Sequence, residues 1–460
     1  VSQADTTFDV AVIGLGPGGE YLAGELATRG LRVLALDERL VGGECPYYGC
    51  IPSKMMLRAA DSLSEARRTA QLAGSVGTVE PDWSIVARRI RDEATDDWDD
   101  QVAVDRLTGK GATVVKAHGR IEGPGRVSAG GTTYDIERAI VLNTGTAPAV
   151  PPIDGLADVA FWTNRDFMRL EELPASLIVL GGGAIGCEMA QVAARFGVQT
   201  TIVEGSPRLS GRDEPEVSDQ LAQVFAEDGI DVKLGAAVQS VRGDDESVTV
   251  TLDDGTEVTA ERILVATGRS LNIRDVGLDS VGVTADRSVP VDDRCRVTDG
   301  VWAIGDITGH GQFTHVSMYE AAIALRDIAG EDGPPADYRA LPHVTFTEPE
   351  IAGVGMTEAD ARKALSRVAV GSTPVPETTR GWIDEFANQG FIKVVADAER
   401  GVLVGATVMG PHAGEVIGWL AVAVHGEVPI DKLRSMIYAY PTIHRGIEVA
   451  LAGITEDREA

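Results

Sequence analysis

The run Phe8-Asp9-Val10-Ala11-Val12-Ile13-Gly14-Leu15-Gly16-Pro17-Gly18-Gly19 decides the fold, because the chain repeats its pattern later as Ser176-Leu177-Ile178-Val179-Leu180-Gly181-Gly182-Gly183-Ala184-Ile185-Gly186. Each run is a short apolar strand entering a glycine-rich turn. A helical pattern follows, and then a second strand that ends on a carboxylate. In the first copy the helix runs to about Arg29 and the strand Leu31–Leu36 ends at Asp37; in the second the strand Gln199–Val203 ends at Glu204. From first glycine to acidic residue the distance is 23 positions in both copies. A lone G-x-G-x-x-G carries little weight. The complete set of strand, tight turn, helix N-terminus facing a pyrophosphate, and carboxylate for ribose hydroxyls has a physical purpose. Both copies supply all of it, so two bound dinucleotides are implied.

Each copy also closes with a matching strand, Ile140-Val141-Leu142-Asn143-Thr144-Gly145 and Ile263-Leu264-Val265-Ala266-Thr267-Gly268. The first copy is the longer between these landmarks. Its extra length holds Cys45, Cys50 and a polar helical stretch from Lys54 onward. A further strand, Val301-Trp302-Ala303-Ile304, ends at Gly305-Asp306. Gly330 to Pro335 has the composition of a linker. From about Pro342 strand-like pieces (Val344–Phe346, Phe391–Val395, Leu403–Met409) alternate with amphipathic helices, which predicts a separate C-terminal α+β unit.

The bulk numbers agree with a multi-domain α/β protein: 460 residues, 44% apolar, 53 glycines. A net charge of −29 argues against a nucleic-acid partner, since nothing would neutralise phosphates. The basic runs Arg67-Arg68 and Arg88 to Arg91 are expected to be solvated helix faces. No apolar run is long enough to span a bilayer, and Val1 to Phe8 lack the pattern of a signal peptide, so no membrane partner and a cytoplasmic location are expected. Four cysteines are too few to staple a secreted chain of this size. Cys187 and Cys295, in helix-like and strand-like surroundings, are expected to be core thiols. Cys45 and Cys50 share a Gly- and Pro-rich loop, and a close pair in a reducing compartment suggests redox chemistry. No second pair exists to complete a zinc ribbon, and no metal site is expected.

The segment Gly42-Gly43-Glu44-Cys45-Pro46-Tyr47-Tyr48-Gly49-Cys50-Ile51-Pro52-Ser53-Lys54 resembles the active-site segment of the FAD-dependent pyridine nucleotide–disulfide oxidoreductases, the family of dihydrolipoamide dehydrogenase, glutathione reductase and mercuric reductase. The resemblance covers nearly the whole chain, including both fingerprints, Ala303-Ile304-Gly305-Asp306, and Phe346-Thr347-Glu348-Pro349-Glu350-Ile351-Ala352-Gly353-Val354-Gly355, which is similar to the opening of the family's dimerisation domain. It implies an α/β fold with two Rossmann-like nucleotide-binding domains and a C-terminal α+β dimerisation domain. The FAD domain would take residues 1–150 and 272–340, the NAD(P) domain 151–271, and the dimerisation domain 341–460.

By the same resemblance Gly14, Gly16, Gly19 and Asp37, with Gly43 and Gly145, belong to the FAD site. Gly181, Gly183, Gly186 and Glu204, with Gly268, belong to the nicotinamide site. Asp306 would hold the flavin's ribityl chain, and His118-Gly119 would meet its adenine. Lys54 and Glu188 would pair beside the flavin N5 edge. Cys50 precedes a predicted helix whose dipole, with Lys54, favours thiolate, so Cys50 is expected to lie against the flavin and Cys45 to meet the acceptor. Glu204 favours NADH over NADPH by accepting from a ribose hydroxyl and repelling a 2′-phosphate, while nearby Arg208 would soften the preference.

The pattern breaks near the C-terminus. Where dithiol-reducing relatives carry a His-Pro-Thr segment with a glutamate five residues on, this chain reads Tyr440-Pro441-Thr442-Ile443-His444-Arg445. Tyrosine, with an ordinary pKa of about 10, is a poor base at neutral pH. His444 would face the same way as Tyr440 if a helix began at Pro441, with Glu448 one turn further to orient it. Glu44, where the family has threonine, is expected to raise the Cys45 pKa. The function expected is an FAD-containing homodimer passing electrons from NADH, with NADPH as the alternative, through FAD and Cys45–Cys50 to a small-molecule or disulfide acceptor. A metal-ion or quinone reductase is the rival reading. A non-catalytic flavoprotein partner is the third.

Overall fold

The computed structural model describes residues 6–244 and 246–456. The chain divides into two compact units. The first comprises Val1–Pro52, Ala87–Ala149 and Arg269–Asp337; the second comprises Ser53–Val86, Val150–Gly268 and Tyr338–Ala460. The protein is α/β, as expected.

The first unit is built on a sheet whose strands run Arg296–Thr298, Val301–Ala303, Thr132–Leu142, Thr7–Ile13, Val33–Asp37, Thr113–Lys116. All pairs along it are parallel except the Arg296–Thr298 edge. Side chains alternate faces along a strand, and the strand Thr7–Ile13 is apolar on both. Val10 and Val12 pack beneath the helices Pro17–Thr28 and Thr314–Ala329 with Leu22, Leu26, Ala321 and Ile328. Phe8, Ala11 and Ile13 pack on the other face with Leu34, Leu36, Ile121 and Ile136. A continuous apolar strand buried on both faces is what a covered parallel sheet requires. The strands Gly119–Gly123 and Arg126–Ala129 extend the sheet as an antiparallel arm.

The second unit contains the repeat. Asp231–Leu234, Gln199–Glu204, Ser176–Leu180 and Arg262–Val265 form a four-stranded parallel sheet, with the helix Ala184–Arg195 following the second glycine turn. An antiparallel trio, Val238–Gly243, Val248–Leu252 and Glu257–Ala260, adjoins it in sequence. Beyond Tyr338 comes a six-stranded antiparallel sheet in the order Pro342–Thr345, Glu350–Gly355, Val402–Gly410, Phe391–Asp397, Val368–Pro374, Thr455–Glu456. The helices Ala413–His425 and Arg445–Ala452 pack on its core through Ile417, Leu420, Ile447 and Leu451.

In this two-way division Ser53–Val86 groups with the second unit. Charged side chains link that segment to the rest of the unit. Arg195, 4% exposed, binds Asp61 (2.8 Å), Asp228 (3.2 Å) and Glu348 (2.8 Å). Arg68 also pairs with Glu348, and Arg67 donates to the Arg195 carbonyl. Arg67 is exposed, as the sequence suggested, but Arg68 is not part of a solvated face; a basic residue reads the same whether it meets water or a carboxylate from a distant segment. The linker Gly330 to Pro335 does lie where the first unit ends, with Gly330 closing a helix at φ 72. Among the described residues no helix is long and apolar enough to cross a membrane.

Candidate functional site

The two glycine turns are built alike. Gly14 and Gly181 have φ of 92° and 105°, a region that L side chains rarely adopt, and a Cβ there would lie 2.3 Å from the Asn143 carbonyl oxygen and 2.5 Å from that of Ala266. Those carbonyls end the two closing strands, so the first glycine lets turn and strand touch. A Cβ on Gly19 or Gly186 would sit 2.1 or 1.9 Å from the carbonyl oxygen of Gly14 or Gly181, where helix meets turn. Gly183 differs. Its φ is −80° and nothing lies within 4 Å of the missing Cβ. Gly16, at φ −62°, has only the end of the Asn143 side chain, 3.3 Å away. Packing leaves open space at Gly183 and only the Asn143 side chain near Gly16, room that a ligand's approach to the backbone would use.

The acidic residues repeat the likeness atom by atom. Asp37 accepts from the Leu15 amide (2.7 Å) and the Arg39 amide (2.7 Å). Glu204 accepts from the Gly182 amide (2.6 Å) and the Ser206 amide (2.6 Å). Each carboxylate is thus fixed against the middle residue of its glycine turn, where ribose hydroxyls would be met. Burial raises the Asp37 pKa above the usual carboxylate range, against its amide hydrogen bonds. Arg208 donates to the Gly211 carbonyl (3.2 Å), a contact directed at its own loop. A dinucleotide fits both cradles.

In the first unit, the segment expected to be a Gly- and Pro-rich loop contains a short helix, Glu44–Tyr48, with Cys45 in its first turn. Cys50 is itself the first residue of the helix Cys50–Leu72 rather than preceding it. Proline in a first turn is compatible with a helix, which is why Pro46 and Pro52 do not prevent either one. Cys45 and Cys50 are free thiols. A hydrogen bond to Cys50 and burial push the Cys45 pKa up, while Thr314 lowers it. The Cys50 sulfur lies 3.4 Å from the Thr314 hydroxyl, at the start of the helix Thr314–Ala329. The Cys45 pKa is raised, as expected, but chiefly by Cys50 and burial, and the Glu44 carboxylate faces Arg269 at 3.4 Å. Arg269 donates to the Thr146 hydroxyl (2.6 Å), and that hydroxyl donates to Asp306 (2.7 Å). Burial raises the Asp306 pKa. Arg269 and Thr146 come together because the strands Thr146–Pro148 and Arg269–Leu271 pair antiparallel, each beginning one residue after Gly145 or Gly268. Gly43, at φ 70°, approaches Gly16 so closely that a Cβ would lie 2.8 Å from its Cα.

His118 is tied to Glu38 (2.9 Å) and to the Asp275 carbonyl (3.1 Å). Desolvation opposes its charged form, but these two acceptors prevail and raise its pKa. Gly119 lies under Leu36 and Ile13, 2.8 and 3.0 Å from where its Cβ would be. In the second unit Lys54 pairs with Glu188 at 2.7 Å, the carboxylate side chain being 6% exposed. Glu188 also accepts from the Phe346 amide (2.9 Å), and the Lys54 ammonium lies 4.6 Å from the Phe346 ring centre. Lys54 is therefore no ordinary surface lysine.

The C-terminal segment departs from expectation. The helix begins at Arg445, not Pro441, so His444 is its N-cap and not one helical turn beyond Tyr440. Tyr440 is 65% exposed, with the Arg445 guanidinium 5.5 Å from its ring. His444 turns inward against Tyr438 (4.9 Å) and Trp419 (5.4 Å), and burial lowers its pKa. Glu448 pairs with Arg445 (3.2 Å) instead of orienting His444. Cys187 and Cys295 are fully buried, though Cys295 lies in a turn at φ 63 rather than in a strand.

Sequence reasoning missed Thr314, Arg269, Thr146 and Phe346. Only Arg269 and Thr146 carried a signal, since each directly follows the matched Thr-Gly that closes a strand. Among the described residues no three His, Cys, Asp or Glu side chains converge to hold a metal.

Comparison with known proteins agrees with this geometry. Residues 8–321 match the pyridine nucleotide-disulphide oxidoreductase family, and residues 341–456 match its dimerisation domain. The chain is 34% identical to the dihydrolipoyl dehydrogenase of Chlorobaculum tepidum, over 98% of each chain. It is 32% identical to the mercuric reductase of Streptomyces lividans, over 99% of this chain and 98% of that one. Among solved structures, the HOCl-induced flavoprotein disulfide reductase RclA of Escherichia coli superimposes with a TM-score of 0.84 at 26% identity, covering 97% of this chain and 99% of that one. Enzymes of this kind use FAD and NAD(P)H. The chain belongs to the pyridine nucleotide-disulphide oxidoreductase family, as an NAD(P)H-dependent flavoprotein disulfide oxidoreductase with a dimerisation domain.

Proposed function

We propose that Cys45 and Cys50 are the redox pair through which this enzyme delivers electrons, taken from NADH in preference to NADPH, to a small-molecule disulfide. The carrying observation is the placement of the two free thiols at the starts of consecutive helices, with Cys50 3.4 Å from the Thr314 hydroxyl, in the unit that also holds the first glycine cradle. Bound FAD and NAD(P)H supply the two-electron chemistry, hydride in and an electron pair out. The chain's own groups do the rest. Gly14, Gly16, Gly19, Gly43, Gly145 and Asp37 hold the FAD, with Asp306, His118 and Gly119; Gly181, Gly183, Gly186, Glu204 and Gly268 hold the nicotinamide nucleotide. Cys50 serves as the thiol on the flavin side and Cys45 as the one that attacks the acceptor. Lys54 and Glu188 serve as the ion pair at the flavin edge. In domain terms, 1–150 with 272–340 serve FAD, 151–271 the nicotinamide, and 341–460 dimerisation. The exposed apolar side chains Ile437 (95%), Val422 (69%) and Val449 (53%) favour a homodimer built on that last domain.

One observation favours a second acceptor class. Tyr440 stands where a histidine acid would be, and His444 is turned into an aromatic pocket. A metal ion or quinone needs no protein proton donor. A related structure, RclA at 25% identity and a TM-score of 0.83, is a Cu(II) complex. A panel of lipoamide, glutathione disulfide, quinones, Cu(II) and Hg(II), run with NADH on the FAD-loaded enzyme and its Cys45→Ser variant, separates the two. Turnover of a disulfide that is abolished in Cys45→Ser supports the proposal. Turnover of metal ions or quinones alone replaces it with the second reading.

A further inference from the structure

Between the π-helical turn Ile90–Ala94 and the helix Gln101–Gly109, three consecutive residues are left-handed: Asp96 (φ 48), Asp97 (φ 55) and Trp98 (φ 57). None is glycine. Such a run persists only where its surroundings over-determine it. Here the Asp97 amide donates to the Arg91 carbonyl (2.7 Å) and the Asp99 amide to the Asp96 carbonyl (3.0 Å). Thr95, 1% exposed, donates its hydroxyl to the Ile90 carbonyl (3.0 Å).

The strained turn aims two groups at the cysteine segment. The Trp98 indole nitrogen donates to the Tyr47 carbonyl (3.1 Å), between the two cysteines. Asp100 accepts from the Val41 amide (2.6 Å), just before Gly42-Gly43, and is itself fixed by Lys116. Inside the span so held, packing is tight. Tyr47 is 7% exposed, and a Cβ on Gly42 would lie 3.0 Å from Pro46 and 3.3 Å from the Tyr47 ring.

We propose that Trp98 and Asp100 clamp the segment Val41–Tyr47 and so keep Cys45 within reach of Cys50, which makes them positioning residues for the dithiol–disulfide cycle. The inference rests on the proposed role of the cysteine pair. Closing a disulfide across four intervening residues requires the two sulfurs to meet, and a segment already held in place loses less freedom in doing so. The clamp therefore raises the effective concentration of one thiol for the other.

The test is a redox equilibrium on the FAD-loaded protein without oxygen. In mixtures of reduced and oxidised dithiothreitol, the dithiol gives two electrons and two protons to the Cys45–Cys50 disulfide. That S–S bond breaks to two thiols as the reagent's own S–S bond closes. Alkylation and mass measurement then count free thiols. Trp98→Phe keeps an aromatic ring and removes the N–H donor; it is expected to lower the effective concentration about fivefold, the size of one neutral hydrogen bond, with FAD content unchanged. Asp100→Ala is expected to lower it similarly, and Asp100→Asn, which keeps an acceptor oxygen, to restore it. If Asp100→Ala does not fold, Trp98→Phe decides alone. A disulfide that forms in Trp98→Phe with the wild-type constant overturns the clamp. A wild-type protein that forms no Cys45–Cys50 disulfide in oxidised reagent overturns the role of the pair itself.

Discussion

Gly183 and Gly186 belong to one fingerprint, yet the structure gives them opposite reasons for being glycine, and substitution with alanine separates them. At Gly183 the backbone is extended at φ −80°, and a Cβ would meet nothing within 4 Å. Gly183→Ala therefore meets no steric barrier. Alanine's weaker capping of the helix Ala184–Arg195 and the reduced freedom of the unfolded chain oppose each other at about 0.4–1 kcal/mol each, so stability should stay near that of the wild type. Its methyl group would instead stand where a pyrophosphate must approach the backbone. A loss of about 1.4–2.8 kcal/mol of nucleotide binding, or roughly 10- to 100-fold in kcat/KM for NADH, is expected. At Gly186 a Cβ would lie 1.9 Å from the Gly181 carbonyl oxygen, main chain that cannot rotate away. Gly186→Ala should destabilise by at least the ~1–3 kcal/mol typical of overpacking. Thermal unfolding followed by flavin fluorescence reads the fold, and initial rates with varied NADH read the site. Gly183→Ala should melt close to the wild-type temperature with its FAD retained and its NADH kinetics impaired; Gly186→Ala should melt well below it. Wild-type NADH kinetics in Gly183→Ala, or a loss of stability there as large as in Gly186→Ala, would refute the argument.

Glu204 is fixed by two amides while Arg208 is directed at its own loop, so kcat/KM should favour NADH over NADPH by at least roughly tenfold, and Glu204→Ala should erase most of that ratio; equal use by the wild type would count against it. Burial and the neighbouring Glu348 push the Asp61 pKa up to about 7, with Arg195 opposing. The folded state thus holds a proton that the unfolded state releases, and stability should fall as pH rises from about 4 to about 7 and level off above. Denaturant melts of wild type and Asp61→Asn across that range should show a flatter slope in the variant, and parallel slopes would rule the assignment out. His444→Ala should lower stability through lost contact with Tyr438 and Trp419 while leaving kcat nearly unchanged. The Tyr440→His, Arg445→Glu double variant should instead gain lipoamide activity, since an acid at the leaving thiolate is worth roughly 100- to 10,000-fold. Robust lipoamide turnover lost in His444→Ala would reverse both expectations.

Sequence disclosed the parts of the fold in which one residue type has one physical use. The apolar runs Phe8–Ile13 and Ser176–Leu180, each ending in a glycine turn and answered by a carboxylate 23 positions on, placed both parallel sheets and both cradles. The observed strands Thr7–Ile13 and Ser176–Leu180 differ from those runs by one residue at most. The strands at Phe391–Asp397 and Val402–Gly410 were similarly legible from β-branched runs. What escaped depends on partners far away in the chain. Glu44 next to a cysteine reads as a lone charge, and only the fold brings Arg269 beside it. Pro441 reads as a helix start, but the chain delays the helix to Arg445 while Tyr438 and Trp419 receive the His444 ring. Aspartate tolerates a left-handed backbone, but nothing in the sequence announces Trp98 there, where local amide bonds and the distant Tyr47 carbonyl together hold the turn.

An anaerobic titration of the FAD-loaded enzyme with NADH tests most directly whether Cys45 and Cys50 lie on the electron path. The wild type should consume two equivalents of NADH before excess NADH absorbance appears, one for the disulfide and one for the flavin. Cys45→Ser and Cys50→Ser, each with its FAD retained, should consume one. A wild-type end point at one equivalent, unchanged by either substitution, would contradict the account.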